Sequence, residues 1–177
     1  MARSLTILGV CGSLRAVSSN GEVLRAAIDL APPTMTLATF DGLPGLPFFN
    51  PDLDSADIPA AAAAWRDRVH SADGLLICSP EYAHGVPGVL KNALDWLVGD
   101  PRFDGTPVAV VNASALSSHA HSQLLEIFRT MSARLAPPEG VVLPFLGRKV
   151  SYEDIMATPQ WSDAVRGALT ALAEATA

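Results

Sequence analysis

The chain has 177 residues, of which 49% are hydrophobic and 17% are charged, and its formal net charge at pH 7 is −6. This length corresponds to one domain, at about 150 residues per domain, so we expect residues 1–177 to form a single domain. An acidic chain lacks the excess of Lys and Arg that binding to nucleic-acid phosphates requires, which excludes that class of partner. The charged fraction is below the usual ~25%, which favours burial of further surface against another copy of the chain.

The cysteine content and the apolar runs bear on the cell compartment. Cys11 and Cys78 are too few for a disulfide framework and lack metal-ligand spacing, so we predict no metal site and a cytoplasmic location. The apolar run Leu5–Cys11 is at the lower length limit for an export signal and no cleavage site follows it, so we interpret it as a buried strand. No run approaches the ~18 apolar residues of a membrane span, and we expect no membrane association.

Five short apolar runs alternate along the chain with amphipathic helical patterns. The predicted strands are Leu5–Cys11, Met35–Phe40, Gly74–Cys78, Pro107–Asn112 and Val141–Phe145. The predicted helices are Asn20–Leu30, Ala60–His70, Gly88–Val98, a fourth with apolar positions Leu124, Phe128, Met131 and Leu135, and a last one with Trp161, Val165, Leu169 and Leu172. Alternating strands and helices indicate a parallel sheet covered on both faces. Five strands favour a flavodoxin-like three-layer α/β fold with strand order 2-1-3-4-5.

In such a sheet, ligands bind beyond the carboxyl ends of the strands, where the strand order reverses. The loop after the first strand joins it to a helix and contains one cation, Arg15, among four side chains that can donate hydrogen bonds: Ser13, Ser18, Ser19 and Asn20. A helix N-terminus carries a partial positive charge, so the loop is suited to a phosphate group. Alternatively, Ser19 or Asn20 only caps the helix and Arg15 is solvated.

Two motifs make the sequence resemble a known family. Ser79-Pro80-Glu81-Tyr82 follows the third strand, and Val-Pro-Gly-x-Leu-Lys-Asn-Ala-Leu-Asp-Trp ends at Trp96. The first loop matches Gly-Ser-x-Arg-x-x-Ser-x-Asn from Gly12 to Asn20. Together they resemble the NAD(P)H-dependent FMN reductases, a family that includes bacterial quinone, chromate and azo-dye reductases, and the resemblance extends through the chain in element order.

The resemblance implies a non-covalently bound FMN. It assigns the phosphate to Ser13, Arg15, Ser18 and Asn20, with Ser19 adjacent, and the flavin ring to Pro80, Glu81 and Tyr82, largely through main-chain groups. Tyr82 could instead be a packed surface aromatic. The resemblance also places Lys91, Asn92, Asp95 and Trp96 at subunit contacts rather than in the chemistry.

The sequence departs from the family pattern at two places. Ala83 stands where the family commonly has Asn, and the segment Ser114–His121 contains none of the glycines that commonly approach the flavin ring. We therefore include Ala83, Ser114 and Ser117 among the candidate cofactor-binding residues. The three histidines near these loops have no metal-ligand spacing, and we favour loop or helix-cap roles for them: His84, His119 and His121.

We predict no catalytic side chain, because in flavin enzymes the cofactor carries the redox step. The hypothesis is a ping-pong reaction in which NADPH or NADH reduces FMN and a small acceptor then takes two electrons. Candidate acceptors are quinones, free flavin, chromate and azo compounds. Two alternatives stay open: a flavodoxin-type electron carrier without nicotinamide activity, and a flavin-free interaction module.

The resemblance and the low charge both predict a homodimer or a homotetramer. The Pro- and Gly-rich connection Asp41–Asp57 is the segment expected to complete a neighbour's flavin pocket. Its two aromatic residues, Phe48 and Phe49, could instead belong to the chain's own core.

Overall fold

A parallel β-sheet with helices on both faces forms the centre of the protein. The computed structural model describes residues 3–54, 57–116, 118–145 and 148–176. The sheet has the order β2-β1-β3-β4-β5, with β6 also paired to β4, which confirms the predicted 2-1-3-4-5 order. The strands are β1 Leu5–Cys11, β2 Met35–Phe40, β3 Gly74–Cys78, β4 Pro107–Asn112, β5 Arg134–Leu135 and β6 Val141–Val142.

The helices divide between the two faces. Helices α1, α5 and α6 pack on one face, and α2, α3 and α4 pack on the other. Their bounds are α1 Ser19–Leu30, α2 Ala60–His70, α3 Gly88–Val98, α4 His119–Thr130, α5 Tyr152–Ala157 and α6 Pro159–Ala175. No helix in the described part of the chain combines the length and the apolar character that crossing a membrane needs.

Burial on both faces explains why the central strand β3 contains no polar side chain. All five of its residues are buried. Leu75 and Ile77 project into the core beneath α2, α3 and α4, whereas Leu76 and Cys78 project into the core beneath α1, α5 and α6. Because both faces of the strand are covered, neither set of alternate positions can be polar.

The prediction of a single fifth strand, Val141–Phe145, is wrong in its extent. Two short strands share the outer edge of β4: β5 pairs with its start, and β6 pairs with its end. Between them lie Pro137 and Pro138, which have no N–H to donate to the ladder. The edge strand is therefore interrupted, and only two of the five predicted residues form β6.

Leu135 was expected on the fourth helix and lies instead in β5. The helix ends at Thr130, and Ser132 takes a left-handed conformation with φ of 58°. The N–H groups of Ser132 and Ala133 then bond back to the carbonyls of Arg129 and Phe128. This pairing closes the helix in the manner of a Schellman motif, in which glycine is the usual left-handed residue.

Two residues that the family resemblance placed at subunit contacts act inside this chain. Trp96 is fully buried, and its indole N–H donates to the carbonyl of Pro47 over 2.8 Å. Asn92 donates to the same carbonyl over 3.0 Å and accepts the N–H of Phe49 over 2.8 Å. Phe49 packs edge-on against Trp96 at 5.1 Å between ring centroids, whereas Phe48 is 90% exposed. Contacts with helix α3 therefore hold in place the connection that follows β2.

Candidate functional site

A cavity of about 200 Å³ opens at the carboxyl ends of β1, β3 and β4. Nine of the eleven candidate cofactor-binding residues line it: Ser13, Arg15, Ser18, Ser19, Asn20, Pro80, Glu81, Tyr82 and Ser114. Gly12 allows the loops that follow β1 and β3 to approach each other, because a Cβ at this position would lie 2.6 Å from the Ser79 hydroxyl oxygen. Of the other two candidates, Ala83 is outside the lining and Ser117 lies outside the described residues.

The N-terminus of α1 forms one end of the cavity. Ser18 occupies the N-cap position, yet its side chain makes no capping hydrogen bond. The Ser13 hydroxyl accepts the N–H of Arg15 over 3.3 Å, which folds the loop toward the helix. Backbone N–H groups in the first turn of a helix have no partner within the helix, so they are available to an anion at this end.

Asn20 is the buried polar side chain at this end of the cavity. The residue is only 7% exposed, and its Oδ1 atom has no hydrogen-bond partner among the described residues. A buried acceptor without a partner costs about 1–3 kcal/mol. Because Asn20 lines the cavity, a ligand that donates a hydrogen bond there would remove this cost.

The loop after β3 forms the opposite wall and is held as a tight turn. The N–H and carbonyl groups of Tyr82 and Gly85 bond to each other over 3.1 and 2.9 Å. The two residues between them both have left-handed conformations, with φ of 48° at Ala83 and 57° at His84. Ala83 is at the tip of this turn, which is why it does not reach the cavity.

Three hydrogen bonds and one ring contact attach this turn to helix α4. The Glu81 carboxylate accepts the N–H of Ala120 over 2.9 Å at the start of the helix. Gln123 donates to the carbonyl of His84 over 3.1 Å and accepts the N–H of Val86 over 3.3 Å. The rings of His84 and His119 stack at 4.3 Å between centroids. The wall containing Pro80, Glu81 and Tyr82 is therefore positioned by α4.

The loop after β4 forms the third side of the cavity. Asn112 accepts the N–H of Ser114 over 3.0 Å, and the Ser114 hydroxyl accepts the N–H of Leu116 over 3.3 Å. These side-chain bonds hold the turn in a segment that has no glycine. Leu116 is 69% exposed.

Sequence reasoning missed two cations that line the cavity, Arg148 and Lys149. They are the chain's only adjacent pair of basic residues and they follow the last predicted strand, which is the signal that could have identified them. With Arg15 they place three positive charges around the cavity of a chain whose net charge is −6. In the described part of the lining Glu81 alone is acidic, and its carboxylate is bonded to α4.

The cysteines lie beneath the cavity as paired residues of neighbouring strands. Cys11 on β1 is in register with Cys78 on β3, and Cys78 is fully buried. Burial raises the pKa of both thiols, that of Cys78 well above its usual value. Both thiols therefore stay neutral at physiological pH, that of Cys78 fully buried and that of Cys11 half-buried.

The remaining histidines have structural partners. His70 lies 2.8 Å from the carboxylate of Asp100 in the part of the fold that joins α2 to the end of α3. His121 bonds through Nε2 to the carbonyl of Glu139 over 2.8 Å. His119 is the first residue of α4.

Comparison with known proteins places this chain in a sequence group. Residues 5–145 match the family described as NADPH-dependent FMN reductase. A NAD(P)H-dependent FMN reductase of Pseudomonas aeruginosa is 40% identical over 117 residues, covering 65% of this chain and 63% of that protein. A 2-hydroxy-1,4-benzoquinone reductase of a Burkholderia species is 42% identical over 114 residues, covering 63% of this chain and 61% of that protein. The chain thus spans less than two thirds of the length of these relatives.

A solved structure supports the fold over nearly the whole chain. FerB, a flavoenzyme NAD(P)H:(acceptor) oxidoreductase from Paracoccus denitrificans, superposes with a TM-score of 0.79 at 24% identity. The superposition covers 97% of each chain. At this identity the likeness establishes the fold.

Proposed function

Since the chain belongs to the NADPH-dependent FMN reductase family, we propose that it binds FMN non-covalently and uses NADPH or NADH to reduce small acceptors. The observation that carries the proposal is the uncapped N-terminus of α1, with the unpartnered Asn20 beside it, facing the turn at Tyr82 across one cavity. One end is suited to a phosphate and the other to a planar ring.

The phosphate end offers several donors. Ser13 and Ser18 provide hydroxyl groups, Arg15 provides a guanidinium, and α1 provides backbone N–H groups with the positive end of the helix dipole. A hydrogen bond to a charged group contributes about 1.5–3 kcal/mol. Micromolar binding needs about 8 kcal/mol, so four such bonds supply free energy of the required order. Asn20 would accept a hydrogen bond from a ligand hydroxyl near this end.

The turn after β3 would position the flavin ring at the other end of the cavity. Pro80, Glu81 and Tyr82 line the cavity, and the Glu81 carboxylate is held by the N–H of Ala120 on α4. The contacts of Gln123 hold the same turn in place before any ligand binds. Such preorganisation reduces the ordering cost of binding a rigid planar ring.

Bound FMN supplies the two-electron transfer itself. The chain contributes the orientation of the reactants, which accounts for a large share of the rate when two planar groups must stack. In the proposed reaction NADPH or NADH binds first and leaves before the acceptor binds at the same face, which is ping-pong kinetics. The names of the two relatives favour quinones and free flavin as acceptors, and chromate and azo compounds are further candidates.

We also propose a cytoplasmic homodimer or homotetramer. Both cysteines are free, as expected in a reducing compartment. Large apolar side chains are exposed near the cavity and on the connection after β2, among them Tyr82 at 51% and Phe48 at 90%. Burial of such side chains against a second copy would account for them.

The proposal is tested by recording the visible spectrum of the purified protein with added FMN and then the oxidation of NADPH and NADH with benzoquinone present. We expect one bound FMN per chain and turnover of the nicotinamide. Bound FMN without nicotinamide oxidation would indicate a flavodoxin-type carrier instead. Absence of FMN binding would refute the proposal and leave an interaction module.

A further inference from the structure

We propose that Arg148 and Lys149 bind the 2′-phosphate of NADPH and make this chain prefer NADPH to NADH. The inference rests on the proposed function, because it assigns the nicotinamide substrate of the same cavity. It concerns two residues outside both sequence motifs that mark the family in this chain.

The first argument is the balance of charge around the cavity. The phosphate of FMN carries at most two negative charges, and Arg15 with the α1 N-terminus, worth about half a charge, already opposes it. Arg148 and Lys149 line the same cavity and add two further positive charges. Against these three cations the described lining has one carboxylate, Glu81, and Asp154, which interacts with Arg148, is not part of the lining, so the lining keeps a net positive charge. The cavity is thus suited to a second anion.

The second argument is that neither cation lies within salt-bridge distance of a described carboxylate, although the charge of Arg148 is close enough to Asp154 to help lower the pKa of that carboxyl. Five arginines elsewhere form salt bridges, whereas neither Arg148 nor Lys149 forms one with a described carboxylate: the paired residues are Arg3, Arg25, Arg66, Arg102 and Arg166. A cation without an ion-pair partner beside a ligand cavity is available to a ligand anion.

The third argument is that the pair is held in position. The guanidinium of Arg148 lies over the ring of Trp161, 4.8 Å from its centroid. The backbone N–H of Arg148 donates to the carbonyl of Phe145 over 2.9 Å. On the other side, the N–H of Val150 donates to the Ser19 hydroxyl over 2.9 Å. A guanidinium stacked on an aromatic face keeps the N–H groups at its edge free for bidentate binding of phosphate. The segment is therefore fixed beside the first loop before a substrate arrives.

The competing assignment is that the pair binds the phosphate of FMN. We favour the nicotinamide because the loop from Ser13 to Asn20 already supplies hydroxyl, guanidinium and backbone donors for one phosphate. The two assignments differ in what the substitutions change. Loss of an FMN contact weakens FMN binding, whereas loss of a 2′-phosphate contact changes the ratio of NADPH to NADH activity.

The test compares kcat/KM for NADPH and NADH in the FMN-loaded wild type, Arg148→Gln, Lys149→Gln and the double variant. Arg166→Gln, which removes an exposed arginine on α6, is the matched control. We expect the wild type to favour NADPH and the NADPH/NADH ratio to fall about tenfold or more in the double variant, as for loss of a charged hydrogen bond. An unchanged ratio overturns the inference, and an unchanged ratio with a weaker FMN dissociation constant assigns the pair to FMN.

A binding measurement separates this inference from the proposed function. Isothermal titration of the FMN-loaded protein with 2′,5′-ADP and with 5′-AMP needs no turnover. We expect 2′,5′-ADP to bind more tightly to the wild type and this difference to disappear in the double variant. Preferential binding without nicotinamide oxidation would refute the proposed activity and keep the phosphate site, whereas equal binding of the two nucleotides refutes the site itself.

Discussion

The hydroxyl of Ser19 accepts a hydrogen bond of 2.9 Å from the N–H of Val150, although the two residues are 131 positions apart in the chain. This bond joins the first turn of α1 to the segment that carries the two cations missed by sequence analysis. The two parts of the charged end of the cavity are thereby held together.

We predict that Ser19→Ala lowers the free energy of unfolding by about 1 kcal/mol, because the Val150 N–H loses its partner. The ratio of kcat/KM for NADPH to kcat/KM for NADH should fall several-fold as the segment that carries Arg148 and Lys149 loosens. Ser19→Thr keeps the hydroxyl and is the matched control. Denaturant titration and kcat/KM measurements with NADPH and NADH test the two effects, and equal behaviour of the Ala and Thr variants would contradict the role given to this bond.

Asn20→Leu should affect stability and binding in opposite directions. Removing the unpartnered Oδ1 atom relieves a buried polar group, so the FMN-free protein should be as stable as the wild type or more stable by about 1 kcal/mol. FMN should bind about tenfold more weakly, since one ligand contact is lost. Urea unfolding of the FMN-free protein and fluorescence titration with FMN test this. A destabilised variant with unchanged FMN affinity would make Asn20 a structural residue only.

Ala83→Gly should stabilise the protein. Ala83 has a φ of 48°, and a left-handed conformation costs a residue with a Cβ about 1–2 kcal/mol. Part of that gain is offset by the flexibility of glycine in the unfolded chain, so we expect a rise of up to about 1 kcal/mol. Ala64→Gly, on helix α2, is the control and should lower stability by about 1 kcal/mol. A loss of stability in both variants would contradict the strain assigned to the turn.

Much of the fold could be predicted because its signals are local. Helices α2 and α3 begin directly after Pro59 and Pro87, and both have the predicted bounds. The four long strands are predominantly apolar runs, although β2 contains Thr36 and Thr39, and their observed bounds are the predicted ones. The two misses have different causes, one local and one long-range. The end of α4 depends on a left-handed serine rather than a glycine, and the division into β5 and β6 depends on pairing with opposite ends of β4.

The sequence contains a local signal for the short helix α5. Ser151 and Asp154 form a reciprocal capping box at its start, a pattern that can be read directly from the sequence. In the candidate site, too, some parts could be predicted from local sequence and others depend on contacts between distant residues. Its three walls follow from the strand order and the motifs, whereas Arg148 and Lys149 reach the cavity through the contacts of Val150 with Ser19 and of Arg148 with Trp161.

The acid sensitivity of the protein should depend on Asp100. Although burial opposes ionisation, hydrogen bonds from Arg102 and His70 lower the pKa of the Asp100 carboxyl well below its usual range. The folded-state pKa is therefore below the unfolded value of about 3.9, so this stabilisation is present above pH ~4 and is lost as the pH falls further.

We accordingly predict that Asp100→Asn lowers the free energy of unfolding at pH 7 and that the difference from the wild type shrinks as the pH falls below about 4. Asp163→Asn, which removes an exposed ion pair with Arg166, should change stability by less than about 1 kcal/mol. Urea unfolding across the pH range provides the measurement. A wild-type difference that is independent of pH would contradict the lowered pKa.

The central claim is that the cavity holds FMN by its phosphate at α1 and by its ring at the turn after β3. Titration of the FMN-free protein with FMN and with riboflavin, which lacks the phosphate, tests it most directly. We predict that FMN binds one per chain with a micromolar or lower dissociation constant and that riboflavin binds at least about a hundredfold more weakly, as expected for loss of several charged hydrogen bonds. Arg15→Ala should reduce the ratio of the riboflavin dissociation constant to the FMN dissociation constant. Equal affinity for the two flavins, or no binding of either, would contradict the account.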